Sequence, residues 1–235
     1  AKALMGVEIE QNLLFDVTLH AATVLSTIVV LWSEVARLLR GLFSRRFNEE
    51  QAYVLKLLLS MIPIGIVGFT LKDRLDALLE SPAILLVVGC MLLVTAALLA
   101  FAYYAKPRQK AQLSYRDAFL IGVAQAVAAL PGLSRSGSTI ATGLLLGNRK
   151  QTVAQFSFLM VLAPILGETF LELMKGNLGA QAIGSAPLAA GFVAAFVVGC
   201  LACKFMIEIV KRGKLVWFAL YCAAAGTVSI LSYVL

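Results

Sequence analysis

The stretch Ala83-Ile-Leu-Leu-Val-Val-Gly-Cys-Met-Leu-Leu-Val-Thr-Ala-Ala-Leu-Leu-Ala-Phe-Ala-Tyr-Tyr104 carries no charged residue. As a helix it is long enough to cross a hydrocarbon core of about 30 Å, which needs about 20 apolar residues. Comparable runs recur through the 235 residues, roughly at 13–33, 52–71, 152–174, 187–210 and 215–234. In lipid every backbone N–H and C=O must be satisfied within the protein, so each run reads as helix. The alternating ten-residue pattern of a membrane barrel is absent. Pro63 and Pro164 fall inside runs, where neighbouring helices tolerate a kink. The reading is an all-α polytopic membrane helix bundle of about six transmembrane helices, forming a single integral membrane domain over 1–235.

Composition agrees. Hydrophobic residues make up 60% of the chain and charged residues 14%, against about 25% charged in a soluble domain. The mean hydropathy is +0.90. A soluble enzyme, a disordered chain and a disulfide-stapled secreted domain are all excluded. Cys90, Cys200, Cys203 and Cys222 lie inside apolar runs, where thiols behave as small hydrophobes. Cys200 and Cys203 form a C-x-x-C, but no second cysteine pair has ligand spacing and His20 is the only histidine, so a zinc site is not expected. His20 itself reads as a packed polar residue near the start of the first run.

The net charge of +7 sorts the runs instead of pointing to nucleic acid. Thirteen of the 20 basic residues fall in four groups. These are Arg37, Arg40, Arg45 and Arg46; Lys106, Arg108, Lys110 and Arg116; Arg149 and Lys150; and Lys211, Arg212 and Lys214. The loops around 72–82 and 175–186 hold only Lys72, Arg74 and Lys175. Loops rich in Lys and Arg are cytoplasmic by the positive-inside rule, which sends the first run from outside to inside.

Segment 117–150 breaks the alternation, because both its ends are basic. Its interior is apolar but interrupted. A half-helix is expected from Asp117 to Leu130, a break over Pro131-Gly132-Leu133-Ser134-Arg135-Ser136-Gly137, and a second half-helix from Ser138 to Gly147. A chain that enters and leaves on one side is a re-entrant helix-loop-helix, and non-helical backbone at membrane depth requires a polar surrounding. Arg135 is the only basic residue of that interior. A lone charge there costs about 2.5–3.5 kcal/mol on insertion scales, so it needs a partner. Ser134, Ser136, Ser138 and Thr139 offer hydroxyls, Gly137 lets backbone approach closely, and the following helix start presents free N–H groups. A guanidinium, hydroxyls and a helix N-terminus together suit a phosphate or pyrophosphate. Gln125, on the first half-helix, could face the same pocket. The competing reading is a structural bend, with capping hydroxyls and Arg135 paired to an acid elsewhere. Glu168, Glu172 and Glu208 are the acids within runs, with Glu208 one turn after Lys204 and suited to pair with it.

Pro131-Gly132-Leu133-Ser134-Arg135-Ser136-Gly137-Ser138-Thr139 resembles the PGxSRSGxT signature of the undecaprenyl-pyrophosphate phosphatases, the BacA/UppP family. Phe15-Asp16-Val17-Thr18-Leu19-His20, Met61-Ile62-Pro63, Tyr115-Arg116-Asp117-Ala118-Phe119, Phe156-Ser157-Phe158-Leu159-Met160 and Phe218-Ala219-Leu220-Tyr221 resemble family segments in the same order. The resemblance implies a bacterial inner-membrane enzyme whose site opens to the outer, periplasmic face. It hydrolyses undecaprenyl pyrophosphate, recycling the lipid carrier of peptidoglycan precursors and conferring resistance to bacitracin. It also implies six spans plus two re-entrant elements related by an inverted repeat, of which segment 117–150 is one. Arg135, Ser134 and Ser136 would be the catalytic set, and Gly137, Ser138, Thr139 and Gln125 would bind substrate. A divalent cation, Mg²⁺ or Ca²⁺, is implied, with no metal ligand assigned in this chain. The partners are undecaprenyl pyrophosphate and membrane lipid, with a homodimer left open. The family's upstream ExxxE and SSTGH segments have no match here. Glu8 and Glu10 do not replace them, and His20 is not the family histidine. The reading therefore expects a segment of some tens of residues ahead of Ala1 and only half of a site within this chain. The rival reading is a transporter or flippase of an anionic lipid or solute, since broken helices also bind anions in transporters.

Overall fold

A computed structural model describes residues 13–44, 47–104, 110, 112–174 and 185–234. Arg45, Arg46, Lys106, Arg108, Lys175, Glu8, Glu10 and the side chains of Glu168 and Glu172 lie outside the described residues. The described chain is helical. It runs through α1 (Leu13–Val30), α2 (Trp32–Leu42), α3 (Glu49–Thr70), α4 (Lys72–Leu79), α5 (Ile84–Tyr104) and α6 (Tyr115–Val127). Then follow α7 (Arg135–Leu145), α8 (Lys150–Met160), α9 (Leu162–Met174), α10 (Ser185–Lys211) and α11 (Leu215–Val234).

Among the described residues, five helical stretches are long and apolar enough to cross a membrane, and the bent pair α1–α2 brings the number to six. Their outward faces are apolar: Val94, Phe101, Val198, Leu201, Trp217 and Leu220 are all exposed. Apolar surface on this scale needs lipid to cover it. The protein is a multi-pass membrane helix bundle.

Two spans differ from the expected ones. The first stops at Val30, and the chain turns by 85° into α2 at Leu31. The residues beyond include Glu34, Arg37 and Arg40, charges that a lipid core excludes. The fourth is broken at Val161 into α8 and α9. Pro164 is the cause: its ring conflicts with the carbonyl four residues back, that of Met160, where α8 ends.

Helices α5 and α11 form the most extensive pairing, followed by α1 with α10 and α3 with α6. Glycines set the closeness of the first pair. A Cβ built on Gly89 would lie 2.9 Å from the carbonyl oxygen of Gly226 and 2.5 Å from Ile230 Cγ1. One built on Gly226 would lie 2.8 Å from the Gly89 oxygen and 3.3 Å from Leu93 Cδ2. The Ser229 hydroxyl, buried at this crossing, donates to Leu85 O at 2.9 Å. The main buried cluster joins Leu99 of α5, Ile140 and Leu144 of α7, Val153 of α8, Val210 of α10 and Leu215 of α11. Glu208 pairs with Arg212 at 2.7 Å, not with Lys204 as expected. Arg212 lies beyond the apolar run, so that pairing holds the carboxylate at the helix end, where both groups remain exposed.

Candidate active site

Helices α6 and α7 form a hairpin whose outer ends are tied together. Lys110 N–H donates to Gly147 O (3.0 Å) and Arg149 N–H donates to Lys110 O (3.3 Å). Asp117, on the first turn of α6, accepts from Lys110 Nζ (3.3 Å) and Asn148 Nδ2 (3.2 Å) through one oxygen. Burial pushes the Asp117 carboxyl up, but the hydrogen bonds from Asn148, Ser114 and Lys110, with the Lys110 charge, outweigh it and hold the carboxyl below its ordinary value. Chain entry and chain exit are thus held at one place.

The tip between the helices is held against α5. Gly132 adopts φ +91°, a left-handed conformation that only glycine takes without strain. A Cβ there would sit 2.6 Å from both the Cα and the carbonyl oxygen of Val88, so the turn lies directly on the α5 backbone. The Ser134 N–H donates to Thr95 Oγ1 at 3.1 Å. Thr95 is near the middle of the 21-residue α5, which places the tip near the mid-length of an apolar helix.

The break covers residues 128–134, as long as expected but three residues earlier, and Arg135, Ser136 and Gly137 belong to the first turn of α7. The physical reason is the cap. Ser134 is extended, and its Oγ accepts from Gly137 N–H at 3.2 Å. Its carbonyl accepts from Ser138 N–H at 2.8 Å, so the helix begins one residue later, at Arg135. The N–H groups of Arg135 and Ser136 have no acceptor among the described residues. They are the unsatisfied donors of a helix start, carrying its positive dipole end.

Arg135 is exposed and makes no ion pair among the described residues. Ser134 and Ser136 are half-buried beside it, while Gly137, Ser138 and Thr139 are buried. Thr139 Oγ1 lies within hydrogen-bonding distance of Arg135 O (3.0 Å) and Ser136 O (3.2 Å). The Ser138 hydroxyl has no partner among the described residues. Gln125 is fully buried on α6 with neither amide atom partnered among the described residues. The cluster can do one thing well: take an anion on the open side of α7's first turn. No group of three or more His, Cys, Asp or Glu suited to a metal occurs among the described residues. His20 is half-buried on α1, its Nδ1 without a partner among them. Thr95, which holds the tip, was not legible as a site residue, since a lone threonine in an apolar helix usually bonds its own backbone, as Thr95 also does to Met91 O at 3.0 Å.

Residues 1–228 match the family described as bacitracin resistance protein BacA. An undecaprenyl-diphosphatase of Parabacteroides distasonis is 62% identical over 231 residues, covering 97% of this chain and 86% of that protein. One of Bacteroides thetaiotaomicron is 57% identical over 233 residues, 98% and 88% of the two chains. Another, of Methanosphaera stadtmanae, is 31% identical over 249 residues, 97% and 87%. With a family match across nearly its whole length and relatives of that identity and coverage, the chain belongs to the BacA family.

Proposed function

We propose that this protein hydrolyses undecaprenyl pyrophosphate to undecaprenyl phosphate and inorganic phosphate, which returns the lipid carrier to peptidoglycan synthesis and protects against bacitracin. The observation that carries the reading is Arg135: a guanidinium with no ion pair among the described residues, on a helix start whose tip rests at the mid-length of α5. The relatives named above favour hydrolysis over transport.

The pyrophosphate lies against the first turn of α7 and the prenyl tail extends into lipid. The guanidinium forks onto two phosphate oxygens. The N–H groups of Arg135 and Ser136 and the Ser136 hydroxyl hold a third. Water adds to the terminal phosphorus, the bridging P–O bond breaks, and the electron pair leaves on undecaprenyl phosphate. Negative charge moves toward the bridging oxygen in that step, and the preorganised donors stabilise it without reorganising. Ser134 serves by capping the helix and Gly137 by letting the first turn of α7 pack closely against Ser134 and Thr95; Ser138, Thr139 and Gln125 are the buried polar groups behind that turn. A divalent cation, Mg²⁺ or Ca²⁺, would neutralise pyrophosphate oxygens when bound, but the described residues offer it no carboxylate set and no step here passes through it. The basic ends of the hairpin face the cytoplasm of a bacterial inner membrane and the tip opens toward the outer face.

Arg135→Ala in detergent-purified full-length protein tests this. Release of phosphate from the lipid substrate should fall at least about tenfold, since one lost transition-state charge contact costs about 1.4 kcal/mol or more. Activity within about threefold of the parent would defeat the assignment. A transporter would release no phosphate in detergent at all.

A further inference from the structure

Below the first turn of α7 lies a level of polar side chains that the chemistry above does not fully use. Gly143 of α7 marks the level beneath it: a Cβ there would lie 3.3 Å from Ile121 Cδ1 of α6 and 2.5 Å from Val153 Cγ1 of α8. Helices α6 and α8 start at the tied outer end of the hairpin, whereas α7 returns to it. One helical turn toward the tip is therefore four residues forward on α6 and α8 and four back on α7. That turn leads to Gln125, Ser157 and Thr139.

All three are buried, with exposures of 0%, 3% and 1%. Both amide atoms of Gln125 and the Ser157 hydroxyl lack a partner among the described residues. Each such group left dry and unpaired costs about 1–3 kcal/mol. Ser157 sits between Phe156 and Phe158, in a helix whose other buried side chains are apolar, so packing gives no reason for a hydroxyl there. The Thr139 hydroxyl gives its proton to the carbonyl of Arg135 or Ser136 and keeps acceptor capacity for a donor from below. Buried waters typically make about three hydrogen bonds to such groups.

We infer that Gln125, Ser157 and Thr139, joined through ordered water, form a hydrogen-bonded layer that fixes the first turn of α7 and so aims Arg135. Gln125 and Ser157 are positioning residues: they act on the anion through Thr139 and the Arg135 backbone and do not touch it. The inference rests on the proposed phosphatase reading for its readout.

The test is a coupling cycle in the full-length protein, scored by phosphate release from undecaprenyl pyrophosphate and by melting temperature. Ser157→Ala removes one hydroxyl and nothing else. It should lower kcat/KM about fivefold or more with the melting temperature nearly unchanged, and Gln125→Met should do the same. Added to Arg135→Ala, Ser157→Ala should cost less than about twofold, because there is no guanidinium left to aim. A Ser157→Ala enzyme within twofold of the parent overturns the inference. So does an equal loss in both backgrounds, which marks Ser157 as merely structural. Should Arg135→Ala itself retain phosphate release, the phosphatase site fails, a result separate from either of these.

Discussion

At the level of single residues, Arg135 and Asp117 show two ways of keeping a charge inside a membrane helix bundle. Asp117 is held within the protein: one oxygen takes both Lys110 and Asn148, and its carboxylate is buried. Its depressed carboxyl makes a definite pH statement. A group with a lowered folded-state value contributes fully above the ordinary carboxylate value of about 4, and the contribution is lost as pH falls through the folded value. Asp117→Asn should therefore cost about 1–3 kcal/mol at neutral pH. Melting curves followed downward in pH should show the parent losing stability below about pH 4 more steeply than the variant. Arg135 is the opposite case, exposed and without an ion pair among the described residues. Its proposed role rests on a feature readable from sequence, a lone arginine amid hydroxyls in an apolar segment. Asp117, Asn148 and Thr95 were not legible as partners, since their contacts join residues far apart in the chain.

Among the elements, the hairpin is the informative unit. Its two helices and interruption were readable from Pro131, Gly132 and the basic flanks. The placing of Arg135 inside a helix turn was not, because it depends on the Ser134 side chain folding back to cap α7. The 85° turn at Leu31 was equally hidden, for hydropathy runs on from Val30 through Leu31 and Trp32. Gly132 holds the tip to α5, so Gly132→Ala should both strain a left-handed residue and push the tip off Val88. A loss of about 1–3 kcal/mol is expected. The check is a lowered melting temperature together with reduced phosphate release.

For the whole molecule, composition decided the class early, because apolar runs of such length have no soluble counterpart. The proposed orientation rests on where the basic groups fall. Cysteine labelling in intact cells tests it: Glu80→Cys should react with a membrane-impermeant maleimide, and Lys214→Cys only after lysis. The opposite pattern would reverse the proposed orientation. The crossing of α5 and α11 adds something that neither composition nor charge contains. Gly89 meets Ile230 while Gly226 meets Leu93, so each glycine faces the residue four beyond the other. That register is what an antiparallel crossing gives: the two contacts lie on either side of the point where the glycines meet. A bulkier residue at either glycine would therefore part both contacts at once, since each backbone lies against the other's glycine.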